Sequence, residues 1–410
     1  MRVVAVLGAG LQGTCVALAL ARRGVAVRLY DRRPRLIAGA SANQEGKLHL
    51  GFVYAADPTL ETARAMIEGA LAFAPAINHL VGAAIDWEPY VSARFRCVVH
   101  RDSTRSVDEL RRHFAALQSL YDELVEAPAR PDLGVSYLGR RPERIWTDAS
   151  SLEGVESPRA IAAFPTEEAA IEPGFLHRVI ERAVRDQPTI ALCLGRRVLE
   201  VAPRGDGFWI GGETTDTDAE PFRDGVDAVV NCLWEGRRAI DRSLGLDDDG
   251  PWSTRVKYGF LFDGVLETPG SCILTHGPFG DVVSWPRLRR VYASWYPACR
   301  VALTCGELPR SWESTLDGAH DPDRVNAILT ETRAALDPFT PGLRSLPLLR
   351  PLAGTIVARG STDIDRPRSE LHRRMGEPPR RHGHYLSLYT GKYTVAPLQA
   401  LQIVDRLLDG

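Results

Sequence analysis

Three glycines near the start of the chain, Gly8, Gly10 and Gly13, follow the spacing G-x-G-x-x-G within VLGAGLQGT. In this pattern the first glycine permits a tight turn and the second lets the backbone approach a pyrophosphate, while the third lets a helix pack closely on a strand. Asp31 ends the next apolar run, where an acid would accept hydrogen bonds from a ribose hydroxyl. Together these residues predict a dinucleotide site.

The flanking elements place this motif in a parallel α/β unit. Residues 2–7 and 25–30 are apolar runs typical of strands, and residues 14–23 predict a helix whose positive end would face the phosphates. The glycines alone leave open whether the ligand is a nicotinamide or a flavin dinucleotide. Arg32 and Arg33 could instead pair with the 2′-phosphate of NADP, although an acid beside that phosphate would repel it.

Lysine is scarce in this chain. Of 50 basic residues only Lys47, Lys257 and Lys392 are lysine, a bias typical of a GC-rich genome. Where lysine occurs in such a background, it offers a compact ammonium group whose pKa can shift, which a planar guanidinium does not offer. These three residues are therefore candidates for a functional site.

Length and composition indicate an ordinary globular protein. With 410 residues the chain can hold two domains, since single cores stop growing near about 250–300 residues. A net charge of −2 gives no basic field to attract nucleic acid. Seven scattered cysteines without a C-x-x-C pair indicate no metal site and favour a cytoplasmic location. No apolar run approaches the ~18 residues of a transmembrane segment.

Periodicity predicts the later elements only coarsely. Strand-like alternation covers residues 85–100, a β-meander covers 189–212, a buried parallel strand covers 227–232, and aromatic-rich strands of an antiparallel sheet cover 255–305. Helices are predicted over 58–80, 107–124, 170–185, 324–336 and 396–408.

A polar loop, GASANQEGKLHLGFVY at residues 39–54, follows the ribose acid. With DRRPR before it, this loop resembles the D-amino-acid oxidase family of flavoproteins, particularly the branch that oxidises L-2-hydroxyglutarate, glycerol-3-phosphate and glycine. That branch has a loop of the character Ser-x-Asn-x-x-Gly-x-x-His-x-Gly, which is matched here by Ser41, Asn43, Gly46, His49 and Gly51. Segments 169–184, 227–237 and 389–408 also resemble family segments, in the same order.

The resemblance implies FAD as the cofactor and an α/β fold. In that fold a Rossmann-type FAD-binding domain with a parallel sheet is interleaved with an α+β substrate domain built on a large antiparallel sheet. The FAD-binding domain would comprise residues 1–84, 151–234 and 346–410, and the substrate domain residues 85–150 and 235–345.

The motif and the resemblance together assign the cofactor contacts to the glycine turn, the loop after it, two later strands and the closing loop. The expected contacts are Gly8, Gly10, Leu11, Gln12, Gly13, Asp31, Arg32, Arg33, Ser41, Asn43, Gly46, Lys47, Leu48, Val198, Cys232, Gly391, Lys392, Tyr393 and Thr394.

Three residues are predicted to be catalytic. The resemblance places His49 on the substrate side of the flavin, where its imidazole could act as a general base. Lys257 falls where family members begin the large sheet, and a lysine beside the flavin could assist oxygen activation or order a water. Lys392, before the last helix, would stabilise the anionic reduced flavin.

Substrate binding is predicted at Tyr258, Arg350 and Arg359, because a guanidinium pairs well with a carboxylate and a phenol adds a hydrogen bond. The predicted function is an FAD-dependent oxidase or dehydrogenase that removes a hydride equivalent from a C–H bond next to an amine or hydroxyl of a small substrate. The electron acceptor, oxygen or another, stays open. The alternatives are a flavoprotein monooxygenase or other tailoring enzyme, a nicotinamide dehydrogenase, and a flavin-binding protein without activity.

Overall fold

The computed structural model describes residues 3–216, 218–246, 250–267, 270–366, 369–373 and 378–409. The α-helices are α1 Leu11–Arg22, α2 Glu61–Val81, α3 Val107–Glu126, α4 Pro173–Arg185, α5 Arg237–Ser243, α6 Tyr296–Cys299, α7 Glu313–Leu316, α8 Pro322–Leu336 and α9 Ala396–Leu408. The strands are β1 Val3–Leu7, β2 Ala26–Asp31, β3 Lys47–Leu48, β4 Phe95–His100, β5 Ala160–Pro165, β6 Ala169–Ala170, β7 Ile190–Leu194, β8 Arg196–Arg204, β9 Gly207–Thr214, β10 Pro221–Val226, β11 Ala228–Asn231, β12 Trp252–Asp263, β13 Ser271–Leu274, β14 Gly280–Trp285, β15 Arg290–Trp295, β16 Arg300–Cys305, β17 Leu348–Arg359, β18 Arg380–His382 and β19 Tyr385–Ser387.

The first sheet has the strand order β18-β19-β11-β1-β2-β7, and the five strands from β19 to β7 run parallel. Helices α1 and α9 pack against each other beside it, and buried side chains such as Val6, Leu18, Leu29 and Ile403 join one hydrophobic core. The parallel unit predicted from the glycine motif is therefore confirmed. Its β1–α1 turn lies at the carboxyl end of a central strand, where parallel sheets bind ligands.

The second large sheet has the strand order β16-β12-β15-β14-β13-β4-β5, and β17 pairs with β12. Its strands pair antiparallel except β13 with β4. A second core, with Val256, Phe260, Val282 and Leu336, packs α8 against this sheet. The expected combination of a Rossmann-type parallel sheet with a large antiparallel sheet is confirmed.

Two strands of the large sheet come from ranges that the sequence assigned to the cofactor domain. β5 pairs with β4, and β17 pairs with β12 along most of its length. The proposed boundaries at residues 151 and 346 thus fall before strands of the other sheet. The division of the chain into domains stays a prediction.

Two local predictions are wrong. Within residues 85–100, Pro89 and its neighbours form a 3-10 turn, Glu88–Tyr90, so β4 begins only at Phe95. In the predicted meander, β7 joins the parallel sheet beside β2, while β8, β9 and β10 form an antiparallel sheet of their own. Gly195, with φ of 69°, separates β7 from β8 and permits this change of sheet.

None of the helices in the described ranges has both the length and the apolar character needed to cross a bilayer.

Candidate active site

The β1–α1 turn has the shape that its glycines predicted. Gly8 has φ of 94°, and a Cβ there would lie 2.7 Å from the carbonyl oxygen of Cys232. A Cβ at Gly13 would lie 1.7 Å from the carbonyl oxygen of Gly8. Glycine is required at both positions, because a side chain at Gly8 would clash with the chain after β11 and one at Gly13 would force α1 away from the turn. The turn thus keeps the N-terminus of α1 close to β1 and β11.

The acid that ends β2 holds this turn in place. One carboxylate oxygen of Asp31 accepts a hydrogen bond from the backbone N–H of Ala9 at 2.8 Å, and the other accepts one from that of Arg33 at 2.8 Å. The hydroxyl of Ser41 accepts a hydrogen bond from the backbone N–H of Leu11 at 3.0 Å. The predicted ribose acid is therefore also a structural part of the turn.

The side chain of Gln12 indicates that a polar ligand completes this turn. Gln12 is 6% exposed, and neither atom of its amide group has a hydrogen-bond partner within the described residues. Buried polar groups without partners are rare and costly. Because the amide lies in the first turn of α1 and lines the cavity described next, the turn fits the pyrophosphate of a dinucleotide.

A cavity of about 490 Å³ extends from this turn to the large sheet. Most of the predicted site residues line it: Gly8, Gly10, Leu11, Gln12, Asp31, Arg32, Arg33, Ser41, Asn43, Lys47, His49, Val198, Cys232, Lys257, Gly391, Lys392 and Tyr393.

The predicted cofactor contacts Gly13, Gly46, Leu48 and Thr394 do not line this cavity but support its wall. Leu48 lies in β3, which pairs with β6. A Cβ at Gly46 would lie 1.9 Å from a backbone oxygen, so the chain can pass there only as glycine. The hydroxyl of Thr394 accepts a hydrogen bond from the backbone N–H of His49 at 3.1 Å, which ties the loop before α9 to the chain after β3.

All three lysines of the chain line the cavity. Asp281 on β14 lies behind two of them, with its carboxylate 3.3 Å from Nζ of Lys47 and 3.9 Å from Nζ of Lys257. Glu45 faces the cavity among them. We call Glu45, Lys47, Lys257, Asp281 and Lys392 the lysine cluster.

Neighbouring charges within the lysine cluster shift the pKa values of its members. Burial works to raise the pKa of Glu45, but Lys257, Lys47 and Lys392 outweigh it and lower that pKa to about 2. Burial works to lower the pKa of Lys47, but Asp281 and Glu45 raise it. The pKa of Lys257 is likewise raised against burial, by Tyr292, Asp281 and Glu45. Glu45, Lys47 and Lys257 are therefore charged at neutral pH.

His49 is neutral in this environment. Burial lowers the pKa of the imidazole, and the positive charges of Lys392 and Lys47 lower it further against the opposing effect of Glu168. A neutral imidazole that lines the cavity can accept a proton, which is what the predicted general base requires.

The three predicted substrate-binding residues do not line the cavity. Side chains alternate along a strand, so Lys257 of β12 faces the cavity while its neighbour Tyr258 is buried in the second core. Arg350 and Arg359 are exposed on β17, whose cavity-lining residues lie between them. The structure thus does not bring these three residues together with the others.

Sequence reasoning missed several residues of the site. Glu45 could have been found, since it lies inside the recognised loop between Asn43 and Gly46. Asp281 and Glu168 carry no local signal, because they reach the site only through the pairing of distant strands.

A second group of ion pairs closes the cavity near Asp31. Asp317 lies 3.0 Å from Arg32 and 2.7 Å from Arg33, and Glu313 forms two hydrogen bonds of 2.8 Å to Arg197. Of these two acids only Glu313 lines the cavity, together with Arg310 and Leu316. In the described residues there is no group of acids, histidines and cysteines suited to a metal ion.

Comparisons with known proteins agree with this geometry. The family described as DAO, FAD dependent oxidoreductase, matches residues 4–386. Glycine oxidase from Geobacillus kaustophilus has the same fold, with a TM-score of 0.65 over 100% of this chain and 95% of its own, at 15% identity. L-alpha-glycerophosphate oxidase from Mycoplasma pneumoniae, solved with FAD bound, has a TM-score of 0.64 over 99% of this chain and 94% of its own, at 14% identity.

A sequence relative shares a short segment at higher identity. The tRNA 5-methylaminomethyl-2-thiouridine biosynthesis bifunctional protein MnmC of Chromohalobacter salexigens is 53% identical over 57 residues, which are 14% of this chain and only 8% of that protein. The family match, in contrast, runs through both large sheets and through all of the cavity wall except the part formed by residues 390–396. The chain belongs to the DAO family of FAD-dependent oxidoreductases, and it is an enzyme whose cofactor is FAD.

Proposed function

We propose that this enzyme oxidises a small carboxylate-bearing substrate by removing a hydride equivalent from a C–H bond next to an amine or a hydroxyl group. One observation carries the proposal: the chain contains only three lysines, and all three line the same cavity. If lysines were scattered without function, most would lie on the exposed surface.

The charge at the lysine cluster favours an anionic substrate. Among its members that line the cavity, Lys47, Lys257 and Lys392 are positive and only Glu45 is negative. Asp281 neutralises Lys47 and Lys257 in part, from behind the cavity wall. A carboxylate entering this partly buried space would gain charge-assisted hydrogen bonds, which contribute about 1.5–3 kcal/mol each.

The residues around the cavity would then bind the cofactor, accept the proton and orient the substrate. The β1–α1 turn, Asp31 and Gln12 would hold the adenylate and pyrophosphate of FAD. FAD, when bound, supplies the oxidising power for the hydride transfer. His49 would accept the proton of the substrate's amine or hydroxyl group, and Lys257 and Lys392 would orient the carboxylate and offset negative charge.

Anaerobic reduction of the bound flavin tests the proposal. The panel pairs amino acids, 2-hydroxy acids and glycerol phosphate with neutral amide or alcohol analogues, and the visible flavin absorbance is followed in a stopped-flow instrument. We expect an anionic member to bleach the flavin and its neutral analogue to do so much more slowly. Equal reduction by both would refute the anion preference, and reduction by NADPH alone would support a monooxygenase instead.

Two substitutions locate the carboxylate. Lys257→Met removes one charge-assisted hydrogen bond and should raise the KM for the acid by about 10- to 100-fold while changing the KM for the neutral analogue little. Arg350→Met is the matched control, because Arg350 is exposed and does not line the cavity. A rise in KM from Arg350→Met alone would refute the assignment to the lysines. Oxygen consumption during turnover then shows whether oxygen is the electron acceptor.

A further inference from the structure

A buried carboxylate lies directly behind the candidate base. Strands β3 and β6 pair antiparallel, with Leu48 opposite Ala169. This register brings the next residue after β3, His49, beside the residue before β6, Glu168. Glu168 is fully buried and does not line the cavity, so it lies behind His49 as seen from the cavity.

The contacts of Glu168 divide between backbone and imidazole. Its Oε2 accepts a hydrogen bond from the backbone N–H of Leu50 at 2.7 Å, and its Oε1 lies 3.6 Å from Nδ1 of His49. Within the described residues, both Oε1 and Nδ1 are buried and lack any other hydrogen-bond partner. Each atom is therefore the available partner of the other, after a movement of a few tenths of an ångström.

We infer that Glu168 is a positioning residue that prepares His49 to act as a base, an inference that rests on the proposed function. Glu168 accepts the hydrogen of Nδ1 and so fixes the neutral tautomer whose lone pair is at Nε2. When the substrate's N–H or O–H bond breaks, its electron pair stays on the nitrogen or oxygen and the proton moves to Nε2. The carboxylate then stabilises the imidazolium that forms, as buried acids do behind catalytic histidines.

The groups around His49 support this role. Glu168 is ionised, because the adjacent His49 imidazole, the charge of Lys47 and the N–H of Leu50 lower its pKa against the effect of burial. Lys392 and Lys47 face His49 from the loop before α9 and from β3, and the ring of Tyr54 meets it edge-on at 5.8 Å. Glu168 is thus the negative charge beside His49 that favours the charged imidazole against the two lysines.

The first test is the pH dependence of flavin reduction by the anionic substrate in Glu168→Gln. The variant should reduce the rate by about 10- to 100-fold, because a wrongly oriented base loses much of its contribution. It should also move the acid limb of the profile to lower pH, by about one pH unit or more, because an imidazolium without its carboxylate loses its proton more readily. Glu167→Gln is the control, since Glu167 pairs with Arg94 at 3.1 Å and does not line the cavity.

The second test needs no turnover. Nitrogen NMR of the FAD-loaded wild-type protein, with the His49 signals assigned by their loss in His49→Gln, reports which ring nitrogen carries the hydrogen. We expect the Nδ1–H tautomer in the wild type and a loss of this preference in Glu168→Gln. An Nε2–H tautomer in the wild type, or a slower Glu168→Gln with an unshifted acid limb, would overturn the inference. Failure of the whole substrate panel would instead refute the proposed function and leave the NMR test standing.

Discussion

Replacing Asp281 by asparagine is the sharpest test of the lysine cluster. Asp281 lies on β14 with its side chain 10% exposed, between Nζ of Lys47 at 3.3 Å and Nζ of Lys257 at 3.9 Å. Asparagine keeps the shape of the side chain but removes the negative charge. Asp281→Asn therefore leaves the positive charges of Lys47 and Lys257 without the carboxylate that partly neutralises them. Lys47 cannot reach solvent instead, because its side chain is only 3% exposed.

The expected cost follows from the distances. At an effective dielectric constant of about 20, unit charges 3.3 Å apart attract by about 5 kcal/mol. Lys47 could instead lose its proton at pH 7, which from its ordinary pKa of 10.5 costs about 5 kcal/mol, so the penalty is limited near this value. Removing one partner of a buried pair typically costs about 3–5 kcal/mol. We expect the free energy of unfolding to fall by that amount.

Urea unfolding of the FAD-loaded protein at pH 7 measures this change. The matched control is Asp263→Asn, because Asp263 pairs with Arg290 at the edge of β12 with 45% of its side chain exposed. Such exposed pairs contribute at most about 1 kcal/mol. The double variant Lys47→Met/Asp281→Leu should recover most of the loss, since it removes both charges together.

The dependence on pH provides an independent check. The pKa of Lys47 is raised in the folded protein, so its ion pair stabilises the fold below the ordinary lysine pKa and this contribution disappears as the pH rises through the folded value. In Asp281→Asn the cost of deprotonating Lys47 limits the penalty, and this cost falls by about 1.4 kcal/mol per pH unit as the pH rises toward the ordinary lysine pKa. The difference between wild type and Asp281→Asn should therefore be larger at pH 7 than at pH 9. If Asp281→Asn were as stable as Asp263→Asn at pH 7, the lysine cluster would not be a desolvated charge network and the reasoning would be wrong.

Three further predictions concern the cofactor and acid stability. Gly13→Ala places a Cβ 1.7 Å from a backbone oxygen, so it should lower the FAD content of the purified protein and reduce the free energy of unfolding by about 1–3 kcal/mol. Gly270→Ala is the control: it has open space around it, so it should leave the FAD content unchanged and alter the free energy of unfolding by no more than about 1 kcal/mol. Glu313→Gln removes the negative charge and one of the two hydrogen bonds from Arg197, and it should speed FAD release several-fold, by about 1 kcal/mol, in a fluorescence assay. Because the pKa of Glu45 is lowered to about 2, its charged form stabilises the fold above the ordinary pKa of 4.5. The difference in the free energy of unfolding between wild type and Glu45→Gln, measured in urea, should therefore disappear as the pH falls from 4.5 toward 2.

The parts of the fold that the sequence predicts well are those with local causes. The β1–α1 turn needs glycine at Gly8 and Gly13 for reasons of backbone geometry, and the helical periodicity of α9 is visible without its partners. The ends of the strands, and the sheet that each strand joins, are harder to predict from the sequence. β7 and β8 are separated by Gly195 alone, and nothing in their residues states that one pairs with β2 and the other with β9.

The candidate site shows the same division. His49 and the lysines are recognisable by residue type or by the loop that contains them, but Asp281 lies 234 positions from Lys47 and meets it only through the large sheet. Tyr258 lies away from the cavity for a simpler reason, because the alternation of β12 places it on the face opposite Lys257. Because side chains alternate along a strand, the sequence alone already indicates that Lys257 and Tyr258 cannot both face one cavity.

The surroundings of Lys47 explain why this position has a lysine in a chain that otherwise uses arginine. Its ammonium group lies 3.3 Å from the carboxylate of Asp281 and 4.6 Å from the centre of the Phe95 ring, in a space with almost no exposure. A compact ammonium can contact a carboxylate and a ring face at once, whereas the larger planar guanidinium must align its fork with one of them. In a chain that otherwise uses arginine, lysine is therefore expected where a positive charge must be buried in a small volume. Rarity of a residue type, combined with convergence on one cavity, is in this protein a stronger indication of a functional site than any single motif after the glycine turn.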